Sequence, residues 1–200
     1  MEKILVFIKH HLRFIWKIIE YGNGIVFSLL FKRRMEKVLP TVFMEFSFPP
    51  FLCRRMRMPD VETLFELIQS QKTSDLKYFS PHSFDLRSIK RQFNNPSFLM
   101  MGVFDGSKMA GYFFLRFFAN KKCFVGRLID KDYRSKGIGS IMNKIMYETA
   151  WRMGFRCLAT ISRNNSAVMR AHAKNSTLVV RKELQNDYLL VEFIGKNDNS

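Results

Sequence analysis

The sequence predicts an α/β fold: a mixed, mostly antiparallel central sheet flanked by helices, behind an N-terminal amphipathic helical extension. Three observations carry this. Three apolar, strand-like segments, "SFLMMGVF", "KMAGYFFLRFF" and "CFVGRLI", are separated by "DGS" and "ANKK", which are turn chemistry. Segments of helical period lie on both sides of that meander. Residues 1–34 place Ile4, Ile8, Leu12, Ile15 and Ile19 on one helical face. Lys3, Lys9, His10, Arg13, Lys17 and Glu20 fall largely on the other, with Trp16 at the border.

The elements follow in order. Gly22 and Gly24 break the first helix, and the short apolar run "IVFSLLF" leads to Lys32, Arg33 and Arg34. Pro40, Pro49 and Pro50 mark a connector. "FLCRRMRM" reads as a strand. "PDVETLFELIQSQ" reads as a helix, with Pro59 at its start and acids in its first turn. "SPHSFDLRSIKRQFNN" is a second helix, and the meander follows it. A helix from Gly137 to about Met153 ends near Gly154. "RCLATIS" is a strand, and "NNSAVMRAHAKN" a helix capped by Asn164 or Asn165. "TLVVRKEL" and "DYLLVEFI" are the closing strands. The boundaries give an extension over residues 1–50 and a domain over 51–200.

Composition narrows the function. The 200 residues carry 33 Lys and Arg against 17 Asp and Glu, a net charge of +16. Such a chain suits an anionic partner: nucleic acid, an acidic membrane surface or a phosphorylated cofactor. Nucleic acid is the weakest of these, because the basic residues are dispersed and no RNA-binding or zinc-finger spacing is present. Cys53, Cys123 and Cys157 are odd in number and far apart, so no metal site is expected and reduced, buried thiols are. Charges interrupt the N-terminal segment, so it lacks the roughly 18 clean apolar residues of a spanning helix. It either packs on its own domain or a second copy, giving a homodimer, or lies on an anionic membrane. The expected location is cytoplasmic, peripheral at the inner membrane surface if residues 1–34 bind lipid.

The richest site signal is "RSKGIG", Arg134 to Gly139, between a strand and a helix. A helix start leaves backbone N–H groups unpaired and carries partial positive charge, and glycine admits a ligand close to that backbone. Arg134 and Lys136 add formal charge. These features suit a pyrophosphate, although solvated basic side chains on an ordinary turn would give the same pattern. The usual nucleotide loops, GxxxxGK[ST] and GxGxxG with a later acid, are absent.

"RLIDKDYRSKGIGSIMNKIM" resembles the acyl-CoA-binding motif of the GNAT superfamily of N-acyltransferases. The resemblance covers roughly residues 51–194. It implies that Leu128 and Ile129 pair their backbone with the pantetheine arm of acetyl-CoA, the acyl donor. It implies that Arg134, Ser135, Lys136, Gly137, Ile138 and Gly139 hold the pyrophosphate, and that Asn164 contacts the cofactor arm where two strands splay. Asp130, Asp132 and Tyr133 would shape that turn. Ala171 stands where the family often has a tyrosine acid, so the general acid is unassigned, and His172 is a weak candidate for catalysis. Glu183, Asp187, Tyr188 and Glu192 lie where they could face an acceptor. The implied activity is acetylation of an acceptor amine, either a small amine or amino sugar, or a peptide or protein amine. Loss of the tyrosine raises the alternative of a non-catalytic acyl-CoA sensor or interaction module.

Overall fold

The computed structural model describes residues 13–166, 168, 169 and 177–195. Its spine is one seven-stranded sheet in the order β1-β2-β3-β4-β5-β7-β6. β1 (Leu52–Arg55), β2 (Phe98–Asp105), β3 (Lys108–Phe117) and β4 (Lys122–Ile129) run antiparallel to their neighbours. β5 (Arg156–Ser162) joins β4 in parallel. β6 (Leu178–Glu183) and β7 (Tyr188–Phe193) complete the sheet antiparallel, with β7 between β5 and β6.

The meander strands are apolar on both faces because both faces are covered. Alternation sends Leu99, Met101, Val103, Phe113, Leu115 and Phe117 to one core. Phe98, Met100, Phe104, Tyr112 and Phe114 go to the other. The N-terminal helices α1 (Arg13–Leu30) and α2 (Lys32–Glu45) supply Phe27, Met35, Leu39 and Val42 to the first core. The second core is closed by α3 (Asp60–Gln69), the single turn α4 (Thr73–Leu76) and α5 (Leu86–Phe93). α5 is shorter than its sequence pattern, since Asp85 accepts a hydrogen bond from the Ser88 amide (2.8 Å) and caps it. The helix α6 (Ile138–Arg152) packs on the first face through Ile141, Met142, Ile145 and Met146.

Two expectations fail at the N-terminus. Gly22 and Gly24 do not break α1, which runs through both. A side chain at Gly24 would meet Asn95 Oδ1 at 3.3 Å and the Pro96 ring at 3.4 Å, so glycine allows close packing there. Pro40 is no connector residue either; it lies inside α2. Burial of Met35, Leu39 and Val42 around it offsets the roughly 3 kcal/mol that an interior proline costs a helix. Pro49 and Pro50 do lie between α2 and β1, joined by a cis peptide bond.

Polar contacts fix α1 as firmly as apolar ones. Glu20 pairs with Arg116 on β3. The Asn23 side-chain amide donates to the Phe117 carbonyl (2.8 Å) and to Ser97 Oγ (3.0 Å), and its oxygen accepts from the Ala119 amide (2.9 Å). Phe27 stacks on Phe117, with ring centroids 4.8 Å apart. Truncating a buried aromatic removes its transfer energy and leaves a cavity. Phe27→Ala is therefore expected to lower the unfolding free energy by about 3–5 kcal/mol in denaturant titration. A change within about 0.5 kcal/mol, the range of ordinary surface substitutions, would show that α1 is not integral to the fold.

Candidate functional site

The site begins where β4 and β5 part. Their parallel pairing covers Lys122–Phe124 with Arg156–Leu158 and then ends. Beyond it β4 stays with β3 as far as Ile129, and β5 stays with β7 as far as Ser162. The two strands diverge into a cleft walled by Val125 to Ile129 on one side and Ala159 to Ser162 on the other. α6 contributes Asn143, Met146 and Tyr147, and the α4 region contributes Ser74, Asp75, Tyr78 and Phe79.

Strand alternation decides which backbone groups face that cleft. The Lys121 carbonyl accepts from Arg156, so odd-numbered residues of β4 face β5. The Asp130 amide donates to Ala110, so even-numbered residues face β3. Ile129 and Arg127 thus offer backbone groups to the cleft, while Leu128 pairs with Tyr112 on β3. The side chain of Leu128 belongs to the second core.

At the end of β4 a 3₁₀ turn (Lys131–Tyr133) precedes the glycine turn. Asp130 Oδ1 accepts from the Asp132 amide (2.9 Å), and Lys108 Nζ lies 3.8 Å from both carboxylates. Tyr133 donates to Asp105 Oδ2 (3.0 Å), and the Lys108 and Lys136 ammonium groups sit 5.0 and 4.6 Å from its ring centre. Ser135 and Gly137 have positive φ, +62° and +81°. Gly137 is the residue before α6, and a side chain there would press on the Phe48 ring at 3.2 Å. Among the described residues, no acceptor meets the amides of Arg134, Ser135, Lys136, Gly137, Ile138 or Gly139. The turn thus presents donors at the positive end of a helix.

Sequence reasoning missed Arg127 and Asp75. Arg127 follows Cys123 and Val125 on the face of β4 that packs under α6, where an apolar residue is expected. That anomaly is readable from "CFVGRLI". Its Nε donates to Asn143 Oδ1 (2.8 Å), and its NH1 lies 3.0 Å from where a side chain on Gly139 would begin. No described carboxylate pairs with it, and burial lowers its pKa. Asp75 accepts from Arg134 (2.9 Å), which holds its carboxyl below the ordinary range. No sequence signal joins residues so far apart in the chain.

The remaining candidates separate. Asn165 Oδ1 accepts from the Val168 amide (3.2 Å) and is the helix cap. Asn164 lines the cleft, and its side-chain amide reaches Asp187 Oδ2 at 3.4 Å. Ala171 and His172 lie outside the described residues. Glu183 pairs with Arg163, and Tyr188 lies opposite Ser162 in the sheet. Glu192 does not line the cleft; it is buried between Arg156 and Arg181, each 2.6 Å away. Cys53, Cys123 and Cys157 are free and buried, and burial pushes the Cys53 thiol up to about 11.

The sequence profile of the acetyltransferase (GNAT) family matches residues 61–176, more than half of the chain. The chain belongs to the GNAT acetyltransferase family. Solved structures agree at the level of fold. The PaiA N-acetyltransferase of Thermoplasma acidophilum, solved in complex with coenzyme A, is 18% identical, with a TM-score of 0.61 over 72% of this chain and 99% of that one. The GNAT domain of S. lividans PAT is 13% identical, with a TM-score of 0.61 over 70% and 88%. The ribosomal-protein-S18-alanine N-acetyltransferase of Escherichia coli is 8% identical, with a TM-score of 0.55 over 75% and 98%. No curated protein matches the sequence. The cleft between the divergent strands reaches the first residue of the glycine turn, Arg134.

Glu192 gives a test of the sheet beside the cleft, where it lies opposite Leu158 of β5. Hydrogen bonds from Arg156 and then Arg181 hold its carboxyl below the ordinary glutamate value despite burial. A depressed folded pKa adds stability above the unfolded value, about 4.3, that is lost as pH falls toward the folded one. Glu192→Gln is expected to be less stable than wild type at pH 7, the gap narrowing as pH falls below about 4.3. Parallel stability curves for the two proteins would exclude this linkage.

Proposed function

We propose that the protein transfers an acetyl group from acetyl-CoA to an acceptor amine, a small amine or amino sugar. One observation carries the reading: the unpaired edge of β4 runs directly into a turn of six unsatisfied amides. An extended amide-bearing arm can add to that edge as a strand does, and a pyrophosphate suits the turn at its end. The residues present fit coenzyme A in both respects. Ile129 and Arg127 would pair with the pantetheine arm, and the amides of Arg134 to Gly139 would hold the pyrophosphate. Asn164 would contact the arm from the β5 side. Arg127 would add a cation beside Gly139, because Arg134 is already engaged by Asp75.

Acetyl-CoA supplies an activated thioester. The amine would form the new C–N bond at the thioester carbonyl carbon as the C–S bond breaks; coenzyme A would leave as the thiolate, and the proton released by the amine would go to solvent water. The chain's contribution is to hold donor and acceptor together and to aim β4 amides at the carbonyl oxygen. Strong base chemistry is not supported by the cleft. Among its described residues Asp75 is the single carboxylate, and Arg134 keeps it weakly basic. That same observation favours the second reading, a GNAT module that binds acyl-CoA without turnover. A peptide or protein amine, the kind of acceptor named for the Escherichia coli ribosomal-protein-S18-alanine enzyme, is the near variant of the first.

Acetyl-CoA at about 100 times its Kd is expected to stabilise the fold by roughly 2.7 kcal/mol, read as a thermal shift. Ser135→Glu puts a negative charge on the turn and should abolish the shift while the unliganded protein still unfolds near the wild-type temperature. No shift with wild type would sink the cofactor assignment. Arg127→Leu should weaken CoA and acetyl-CoA alike, about tenfold or more, as expected for one charge-assisted hydrogen bond of roughly 1.5–3 kcal/mol. Given a shift, turnover with an amine panel separates the transferase from the binding module.

A further inference from the structure

We infer that the outward face of α1 is a docking surface for an anionic lipid bilayer. The helix has two opposite faces. Glu20, Asn23, Gly24 and Phe27 turn inward and are fixed to β3 and its neighbours. Ile18, Tyr21, Ile25 and Leu29 recur at spacings of three and four, so they share the opposite face. They are 54%, 73%, 44% and 79% exposed. Gly22 lies among them, and a side chain placed there would meet nothing within 4 Å. The face farthest from the protein is thus its apolar one, the reverse of an ordinary surface helix.

The inward contacts make the display fixed. Rotating α1 to hide the stripe would break the Glu20–Arg116 pair, unbond Asn23 and expose Phe27. A contiguous apolar face of this kind marks an interaction site.

Charge selects the occupant. Leu30, 67% exposed, leads into Lys32 and Arg33, and Lys37 follows on α2; all three basic residues are exposed. The whole chain carries +16. A second copy seated on the stripe would bring two such basic clusters together, at a cost in like-charge repulsion. A surface of anionic headgroups attracts them instead. Tyr21, with an apolar ring and a polar tip, suits the headgroup boundary. Among the described residues no helix is long and apolar enough to cross a membrane, so α1 would lie along the surface.

The test is flotation of the full-length protein with vesicles of phosphatidylcholine containing roughly 30% phosphatidylglycerol, against phosphatidylcholine alone. Binding is expected to the anionic vesicles only and to fall as salt is raised. The double variant Ile25→Glu, Leu29→Glu should partition at least tenfold less, with its thermal stability close to wild type because both positions are exposed. Lys32→Glu, Arg33→Glu should lose binding as well with the stripe intact. Equal flotation of wild type and Ile25→Glu, Leu29→Glu would overturn the proposal. So would the absence of flotation, or a sedimentation-equilibrium dimer that this variant dissociates. Acetyl-CoA binding, measured on the same samples, is independent of either result.

Discussion

The site depends on one broken pairing. β4 and β5 are hydrogen-bonded at Lys122–Phe124 and Arg156–Leu158 and then separate, because each keeps its other partner. A strand edge left unpaired inside a sheet is costly unless something else uses it. Here side chains from α6, Tyr147 and Asn143 among them, stand at the opening, and Arg127 points into the same space. The glycine turn inherits its position from this divergence. It closes β4 and opens α6, so its free amides adjoin the free strand edge.

Electrostatics sharpen the same region. Arg134 is neutralised by Asp75, and Lys136 lies over the Tyr133 ring. Arg127 has no described acid partner and is held at the Gly139 backbone, where a larger residue would collide with it. Conversely, Glu192 sits on a closing strand where an acid could face an acceptor, yet it pairs with two arginines and does not line the cleft. Net charge predicts an anionic partner, but only placement distinguishes charges that meet a ligand from charges that meet each other.

The N-terminal helices show the limit of periodicity. Their amphipathic character is plain in the sequence, and so is the choice between packing and lipid. In the described part of α1 the polar contacts of Glu20 and Asn23, with one large buried aromatic, Phe27, seat the helix on the domain. The wider apolar stripe faces out. A hydrophobic-face argument alone would have turned the helix the wrong way round. Pro40 within α2 makes a related point: local propensity yields where burial on the same helix is large enough.

The sequence by itself determined the order of the seven strands and of α3, α5 and α6 among them, the meander, and the position of the glycine turn at a strand–helix junction; the turn α4 was not legible in it. These features rest on local signals: alternation, helical period and turn chemistry, each contained within a few residues. Only the tertiary structure decided where β4 and β5 part, which of Arg127, Leu128 and Ile129 turn their backbone to the cleft, and which of two asparagines caps the next helix. It alone brought Asp75 to Arg134 and set Glu192 between Arg156 and Arg181. Those contacts join residues distant in the chain, and their partners are chosen by packing that no short stretch of sequence encodes.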